Sequence, residues 1–170
     1  MRKNTRFLVQ SAVISALYLV LTHLQNLIFP DSASMAIQFR ASEALCVLAF
    51  FTPAAIPGLS LGCLLFNITC AGALPLDFLV GTVASALAAA GMWMTRKVTI
   101  RSFPLLGLIF PAIFNGLLVG WELTHYIGGG FRFNAICVAI GELGVLLTLG
   151  VVLYYAIKVR KLDIKLFHGR

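Results

Sequence analysis

Six apolar segments make up most of this chain, and the stretches between and beyond them hold most of its charges. The segments fall at residues 6–29, 41–52, 54–72, 75–95, 104–125 and 133–157. A transmembrane helix needs about 20 apolar residues. Of the 170 residues, 60% are hydrophobic and 11% are charged, whereas soluble domains are about one quarter charged. The sequence therefore predicts an all-α membrane protein that forms a single domain over residues 1–170.

The second segment, 41–52, is shorter than a spanning helix, so the number of crossings depends on the distribution of charge. Six crossings with a cytoplasmic N-terminus place 11 of the 13 Lys and Arg residues in the cytoplasm, while five crossings would divide them between the two sides. Cytoplasmic segments of membrane proteins carry an excess of Lys and Arg. We therefore predict six transmembrane helices with both termini cytoplasmic, and we interpret the net charge of +7 as an orientation signal rather than a nucleic-acid footprint.

The first apolar segment follows basic residues, as in a signal peptide. It is longer than the apolar core of such a peptide, and no clear cleavage site follows it. We expect it to be retained as the first membrane helix.

Four carboxylates are predicted to lie within the membrane, each on a different helix. Glu43, Asp77 and Glu122 fall in the outer half, and Glu142 lies about 13 Å along the last helix. A charged side chain at the centre of a membrane helix costs about 2.5–3.5 kcal/mol on insertion scales, so such a residue marks a functional site by default. We predict that the carboxylates line a polar, partly aromatic cavity open to the outside, together with residues at similar depth: Asn67, Asn115, Trp121 and Asn134.

Several of these residues also have a purely structural interpretation. Asp77 follows a proline and is suited to the start of a helix. Glu43 is three residues from Arg40, on the same face of a helix, and can pair with it or with Arg132 at the mouth of the cavity. Glu122 can be solvated near the interface. These alternatives stay open at the level of sequence.

Glu142 is harder to explain structurally, because it lies deep in an apolar helix. A single hydrogen bond between helices would account for Asn115. A carboxylate accepts two parallel N–H bonds from an amidine-like edge, the arrangement that a guanine-type ring presents, and aromatic side chains stack on such a ring. The residue types therefore favour a ligand that donates hydrogen bonds or carries positive charge.

Small residues in the first segment predict a surface for another helix. Ala12 and Ala16 are four residues apart, a spacing that lets a second helix approach closely. Glycines with the same spacing, at 58 and 62 and at 116 and 120, are assigned to packing inside the bundle.

The motifs of several other functions are missing from the sequence. There is no phosphate loop of the G-x-x-x-x-G-K-[ST] type and no H-E-x-x-H pair. The four cysteines lie in apolar stretches without metal-ligand spacing, and no serine has a histidine nearby. We predict no catalytic residue, no metal site and no cofactor in this chain.

Taken together, these features resemble the substrate-binding S-components of energy-coupling factor (ECF) transporters, and more specifically the QueT family of queuosine-precursor transporters. The resemblance covers essentially the whole chain and is carried by "IQFRASEALCVLAFFTPAAIPGLSLGCLLFN" at 37–67, "PLDFLVGTVASALAA" at 75–89 and "FNAICVAIGELGVLLTLG" at 133–150. The Arg40-x-x-Glu43 and Gly141-Glu142 blocks are its more specific parts.

The resemblance implies a multi-pass protein of the bacterial cell membrane that binds a 7-deazaguanine base, such as queuine or its aminomethyl precursor. It also implies a membrane T-component, which would dock on the face formed by Ala12 and Ala16, and two cytosolic ATPase subunits that use ATP. Besides these proteins and the ligand, membrane lipid is the expected partner, and nucleic acid is not.

Two other functions remain open on sequence grounds. The chain could be an S-component for another vitamin or nucleobase. It could also be a stand-alone proton-coupled carrier, with Glu142 or Glu122 as the proton site. For the Arg40–Glu43 pair our hypothesis is that both residues cap the outer end of a short helix at the mouth of the cavity.

Overall fold

The computed structural model describes residues 3–29, 39–70, 73–100 and 103–167, and it is helical almost throughout these ranges. Six α-helices follow one another: α1 Lys3–Ile28, α2 Ala55–Thr69, α3 Asp77–Thr95, α4 Ile109–Tyr126, α5 Phe131–Val145 and α6 Val151–Val159. A 3₁₀ helix, Ala41–Phe50, lies between α1 and α2, and a short one, Leu105–Leu108, precedes α4. Single π-helical turns, Leu146–Gly150 and Asp163–Phe167, follow α5 and α6. The predicted all-α class is confirmed.

Within the described ranges, four helical stretches are long and apolar enough to cross a membrane: Lys3–Ile28, Asp77–Thr95, Leu105–Tyr126 and Phe131–Val159. Large apolar side chains cover the outside of the bundle as well as its core, for example Leu27 at 79% and Val152 at 67% exposure. Such a surface suits lipid rather than water. The chain is a multi-pass membrane protein, as predicted.

The Ala41–Phe50 helix is central to the bundle and runs antiparallel to α1. At one end the Ala41 N–H donates to Gln25 Oε1 at 2.6 Å, and just beyond the other end the Thr52 hydroxyl donates to Gln10 Oε1 at 3.0 Å. Along α1, the stretch from Gln10 to Gln25 covers about 22 Å. The chain from Ala41 to Thr52 covers that length at the 3₁₀ rise of about 2.0 Å per residue, whereas an α-helix would cover about 16 Å.

The next helix, α2, packs parallel to α1 through two glycines. A Cβ added at Gly58 would lie 2.9 Å from Ile14 Cβ, and one added at Gly62 would lie 2.7 Å from Tyr18 Cβ. The two helices therefore approach closely and run in the same direction, so the 3₁₀ helix between them returns the chain along the length of the bundle. The predicted packing role of Gly58 and Gly62 is confirmed.

Helices α3, α4 and α5 form antiparallel hairpins. A Cβ added at Gly91 near the end of α3 would lie 2.5 Å from the Phe110 ring at the start of α4. A Cβ added at Gly120 would lie 2.6 Å from Ala135 Cα, and one at Gly116 would lie 3.0 Å from the Ala135 carbonyl oxygen. These two glycines let α4 and α5 touch along their backbones, which confirms their predicted packing role.

Basic residues gather at one end of the bundle. The Arg6 guanidinium at the start of α1 donates to the Leu166 carbonyl oxygen after α6 at 2.8 Å, so these two ends of the chain lie together. At this end the structure describes Lys3, Arg6, Arg96, Lys97, Lys158, Arg160 and Lys161, while Arg40 and Arg132 lie at the opposite end. Arg2, Arg101 and Arg170, which the charge argument also used, lie outside the described residues.

Candidate functional site

A buried hydrogen-bonded group joins α1 to the first turn of the central 3₁₀ helix. The Tyr18 hydroxyl donates to Glu43 Oε1, and the Cys46 thiol donates to Glu43 Oε2 with the two atoms 3.1 Å apart. Side chains three residues apart lie one above the other on a 3₁₀ helix, which brings Glu43 and Cys46 together. Glu43 is 2% exposed, and both of its oxygens accept hydrogen bonds. Its carboxylate is thus held by the protein itself.

Arg40, just before the 3₁₀ helix, lies against α1 and α2. Its Nη1 is 3.4 Å from the Tyr18 hydroxyl oxygen, and its Cζ lies 5.4 Å from the centre of the Phe66 ring, a cation–π distance. The predicted Arg40–Glu43 pair is therefore bridged by the Tyr18 hydroxyl. The same guanidinium interacts electrostatically with Glu43, Glu122 and Glu142, so all three carboxyl groups lie within the electrostatic range of one cation.

Glu142 faces Asn115 across the α4–α5 contact. Asn115 Nδ2 donates to Glu142 Oε1 at 3.0 Å, and both side chains are 5% exposed. The other oxygen, Glu142 Oε2, is buried and accepts no hydrogen bond within the described part of the chain. The interhelical hydrogen bond considered for Asn115 is present, and its acceptor is the deep carboxylate.

Glu122 is fully buried at 0% exposure, and no N–H group or hydroxyl among the described residues donates to either of its oxygens. Its carboxyl group interacts electrostatically with that of Asp77 at the start of α3. Asp77 Oδ2 accepts a bond from the Leu74 N–H at 2.9 Å, in the turn that precedes the helix. Asp77 thus holds this turn and is also the neighbour of Glu122.

Asn67 near the end of α2 supplies a further buried acceptor. Its Nδ2 donates to the Asp77 carbonyl oxygen at 2.8 Å, whereas its Oδ1 has no donor among the residues that the structure describes. A Cβ added at Gly81 would lie 2.9 Å from this Nδ2, so the glycine leaves room for the amide. Asn67 is 6% exposed.

Three predicted site residues lie away from this group. Trp121 is 52% exposed and its ring stacks on His125, with centroids 6.1 Å apart. Successive residues of an α-helix point about 100° apart, so a helix that turns Glu122 inward turns Trp121 outward. Arg132 is exposed at the start of α5.

Asn134 is the third of these residues. It is 4% exposed, but its Nδ2 donates to Thr124 Oγ1 and to the Gly128 carbonyl oxygen, both at 3.0 Å. These bonds close the turn between α4 and α5, so Asn134 has a local structural role there.

Ala12 and Ala16 lie on the exposed face of α1. The opposite face packs on α2, where a Cβ added at Gly62 would lie 3.0 Å from the Ser15 carbonyl oxygen. The exposed face carries apolar neighbours such as Val13 at 52% and Val20 at 52% exposure. It is a smooth apolar surface on the outside of the bundle.

Sequence reasoning missed Tyr18, which joins Glu43 to Arg40. The signal was present in α1, where Ser11, Ser15, Tyr18 and Thr22 recur at the spacing of one helical face, and all four are buried. Thr22 donates to the Ser42 hydroxyl at 2.7 Å, so this polar stripe packs along the 3₁₀ helix.

The buried polar cluster is closed to solvent. Its predicted members are at most 8% exposed: Glu43, Asn67, Asp77, Asn115, Glu122 and Glu142. A groove of about 490 Å³ lies elsewhere, between α1 and the C-terminal helices, and its lining is mostly apolar. The expected cavity open to the outside is therefore not the conformation seen across the described ranges; the polar residues are packed together instead.

Apolar helices around buried carboxyl and amide groups define a multi-pass membrane protein with a polar cluster in its interior. A family model described as the QueT transporter matches residues 8–159, nearly the whole chain. The chain belongs to the QueT transporter family, a family of transporters rather than enzymes, and this indicates a component for queuosine-precursor uptake. Comparisons with curated proteins and with solved structures found no match.

Proposed function

We propose that the chain is the S-component of an ECF transporter and captures a 7-deazaguanine base outside the cell for ATP-driven uptake. Queuine and its aminomethyl precursor are the leading ligands. Membership of the QueT transporter family supports this role. Because the sequence has no phosphate loop, ATP-driven uptake by this chain would use ATPase subunits supplied by partners.

The observation that carries the proposal is a set of buried acceptors without donors. Four oxygen atoms receive no hydrogen bond from an N–H group or hydroxyl among the described residues: Asn67 Oδ1, Glu122 Oε1, Glu122 Oε2 and Glu142 Oε2. Leaving a buried acceptor unsatisfied costs about 1–3 kcal/mol, and more for a charged group. A deazaguanine offers a ring N–H and an exocyclic amine on one edge, which match a carboxylate in bidentate geometry. Such a ligand would satisfy groups that the protein leaves unpaired.

Two features of the fold support six membrane crossings with both termini in the cytoplasm. The central 3₁₀ helix returns the chain along the whole length from Gln25 to Gln10, so that α1 and α2 run in parallel. Most of the described basic residues lie at the end that this orientation places in the cytoplasm, with Arg40 and Arg132 at the other end.

Labelling of Cys70 tests the orientation. This half-buried thiol follows α2, at the end that the orientation places outside, while the other three cysteines are buried. A membrane-impermeant maleimide should label Cys70 in intact cells. In a variant that combines Cys70→Ser with Lys97→Cys, labelling should require permeabilised cells. Labelling of position 97 but not of Cys70 in intact cells would show that the orientation is the opposite one.

The exposed face with Ala12 and Ala16 supports docking of a T-component, to which two cytosolic ATPases would couple. The chain itself needs no cofactor for this role. Docking of the T-component on this face does not depend on which ligand is carried. The first alternative is therefore an S-component for a vitamin or another nucleobase.

One observation favours a second candidate, a proton-coupled carrier that works alone. Glu122 and Asp77 are neighbouring carboxyl groups in a buried setting, where a proton can be shared. Uptake that survives loss of the ATPases and stops with an uncoupler would establish this carrier. Uptake that stops with loss of the ATPases supports the S-component.

Calorimetric titration of the detergent-purified protein tests the proposed function directly. The ligands are queuine, the aminomethyl and cyano precursor bases, guanine and riboflavin. We expect tight binding of a deazaguanine without any partner protein, and weaker binding by about tenfold or more in Glu142→Gln. No heat with any deazaguanine would refute the proposal.

A further inference from the structure

We propose that Glu122 and Asn67, beside Asp77, form a subsite for a primary ammonium group, the charged arm of an aminomethyl-substituted ligand. The inference rests on the proposed function and names the side arm that the site selects.

The acceptors at this place match an ammonium in number and kind. Glu122 Oε1, Glu122 Oε2 and Asn67 Oδ1 are three buried oxygen atoms without a donor among the described residues. A primary ammonium carries three N–H donors and no acceptor. One such group carries as many donors as there are oxygens here, whereas a nitrile carries no donor.

Asp77 brings the two side chains to one place. Asn67 on α2 donates through Nδ2 to the Asp77 carbonyl oxygen at 2.8 Å. Glu122 on α4 interacts electrostatically with the Asp77 carboxyl group. Three helices thus meet at Asp77 and carry these acceptors, and Glu122 is fully buried there at 0% exposure.

The cluster has two halves that differ in charge: one contains Glu43 and Glu142, and the other contains Glu122 and Asp77. Around Glu43, the Tyr18 hydroxyl and the Cys46 thiol already occupy both carboxylate oxygens, and the Arg40 guanidinium lies 3.4 Å from the Tyr18 oxygen. Around Glu122 there are two carboxyl groups, Glu122 and Asp77, and the described cation that both halves share is Arg40. Burying a carboxylate pair is costly unless positive charge accompanies it. A cationic arm supplies that charge, and the Glu142 side of the cluster is left for the ring.

A pair of matched substitutions and a pair of matched ligands test this assignment. Glu122→Gln and Glu142→Gln make the same chemical change in the two halves of the cluster. Each variant, and wild type, is titrated calorimetrically with the aminomethyl base and the cyano base, which share the ring and differ in the arm. Size-exclusion profiles and melting curves in detergent select samples that are folded. Asp163→Asn, at the other end of the bundle, serves as an unchanged reference.

We expect Glu122→Gln to lower the affinity for the aminomethyl base by about 10- to 100-fold, because it removes a charge-assisted hydrogen bond. The affinity of this variant for the cyano base should change by less than about threefold. Glu142→Gln should weaken both ligands by a similar factor. An equal loss for both ligands in Glu122→Gln, or a wild-type preference for the cyano base, overturns the subsite and leaves the proposed function standing. A wild-type protein that binds no deazaguanine overturns both.

Discussion

The hydroxyl of Tyr18 is predicted to stabilise the whole bundle, and Tyr18→Phe isolates its contribution. The side chain is 0% exposed, and its hydroxyl donates to Glu43 Oε1 while it accepts from Arg40 Nη1 at 3.4 Å. Phenylalanine fills the same space but leaves the Glu43 carboxylate, itself 2% exposed, with one donor fewer. A hydrogen bond to a charged group contributes about 1.5–3 kcal/mol, so we expect the free energy of unfolding to fall by about this amount.

Reversible denaturant unfolding in detergent measures this loss as a change in midpoint at constant slope. Tyr155→Phe is the matched control, because it removes the same atom from a side chain that is 46% exposed, and we expect a change within about 0.5 kcal/mol. A double-mutant cycle of Tyr18→Phe with Glu43→Gln should give a coupling energy of about 0.5–3 kcal/mol, as for residues in direct contact.

The reasoning is refuted if Tyr18→Phe costs no more than Tyr155→Phe. A zero coupling energy between positions 18 and 43 would refute it as well, because the loss would then come from some other contact of the ring.

Three further predictions concern the packing of the helices, the docking surface on α1 and the limits of the ligand site. Gly62→Leu should destabilise the bundle by at least about 1–3 kcal/mol in the same unfolding assay, because a Cβ there would lie 2.7 Å from Tyr18 Cβ. The control is the reverse change at the neighbouring exposed position, Leu61→Gly, which should cost less. The opposite ranking would contradict the α1–α2 contact. Ala16→Leu should abolish uptake in cells while calorimetric ligand affinity stays within about twofold, since the side chain lies on the outer face of α1. Loss of both properties would place position 16 in the fold or the site instead. Trp121→Ala should leave calorimetric ligand affinity unchanged, because the indole stacks on His125 away from the cluster; a loss of tenfold or more would restore it to the site.

Much of the architecture follows from local patterns in the sequence. Apolar segments and their breakers predict helices because helix length and lipid contact are properties of a few neighbouring residues. The small residues at 58, 62, 116 and 120 predicted close helix contacts for the same reason, and the structure confirms them.

The 3₁₀ winding of Ala41–Phe50 could not be predicted in this way. Its apolar run has no local mark of 3₁₀ geometry, and runs of this winding longer than three or four residues are uncommon. The winding follows from a tertiary requirement, since the segment must reach from the level of Gln25 to that of Gln10.

The candidate site was predictable in its residue types but not in its grouping. Glu122 and Trp121 were both predicted in the site because they lie at the same depth in the membrane. In the structure α4 turns Glu122 inward and Trp121 outward. Whether an oxygen already has a donor is also invisible in a sequence. The sequence made Glu142 harder to explain structurally than Glu43, but it could not show that the protein satisfies both oxygens of Glu43 and only one of Glu142.

The winding of the central helix also couples the two ends of the bundle. Each residue advances about 120° around a 3₁₀ helix and about 100° around an α-helix. If the helix rewound to the α form with Phe50 held among its aromatic neighbours, Glu43 would retreat by about 3.5 Å and swing by about 140° around the axis. The carboxylate would then leave Tyr18. A change of pitch at one end of this helix is thus a rotation at the other, and the hydrogen bond between Tyr18 and Glu43 is a contact that only the 3₁₀ form of the helix makes.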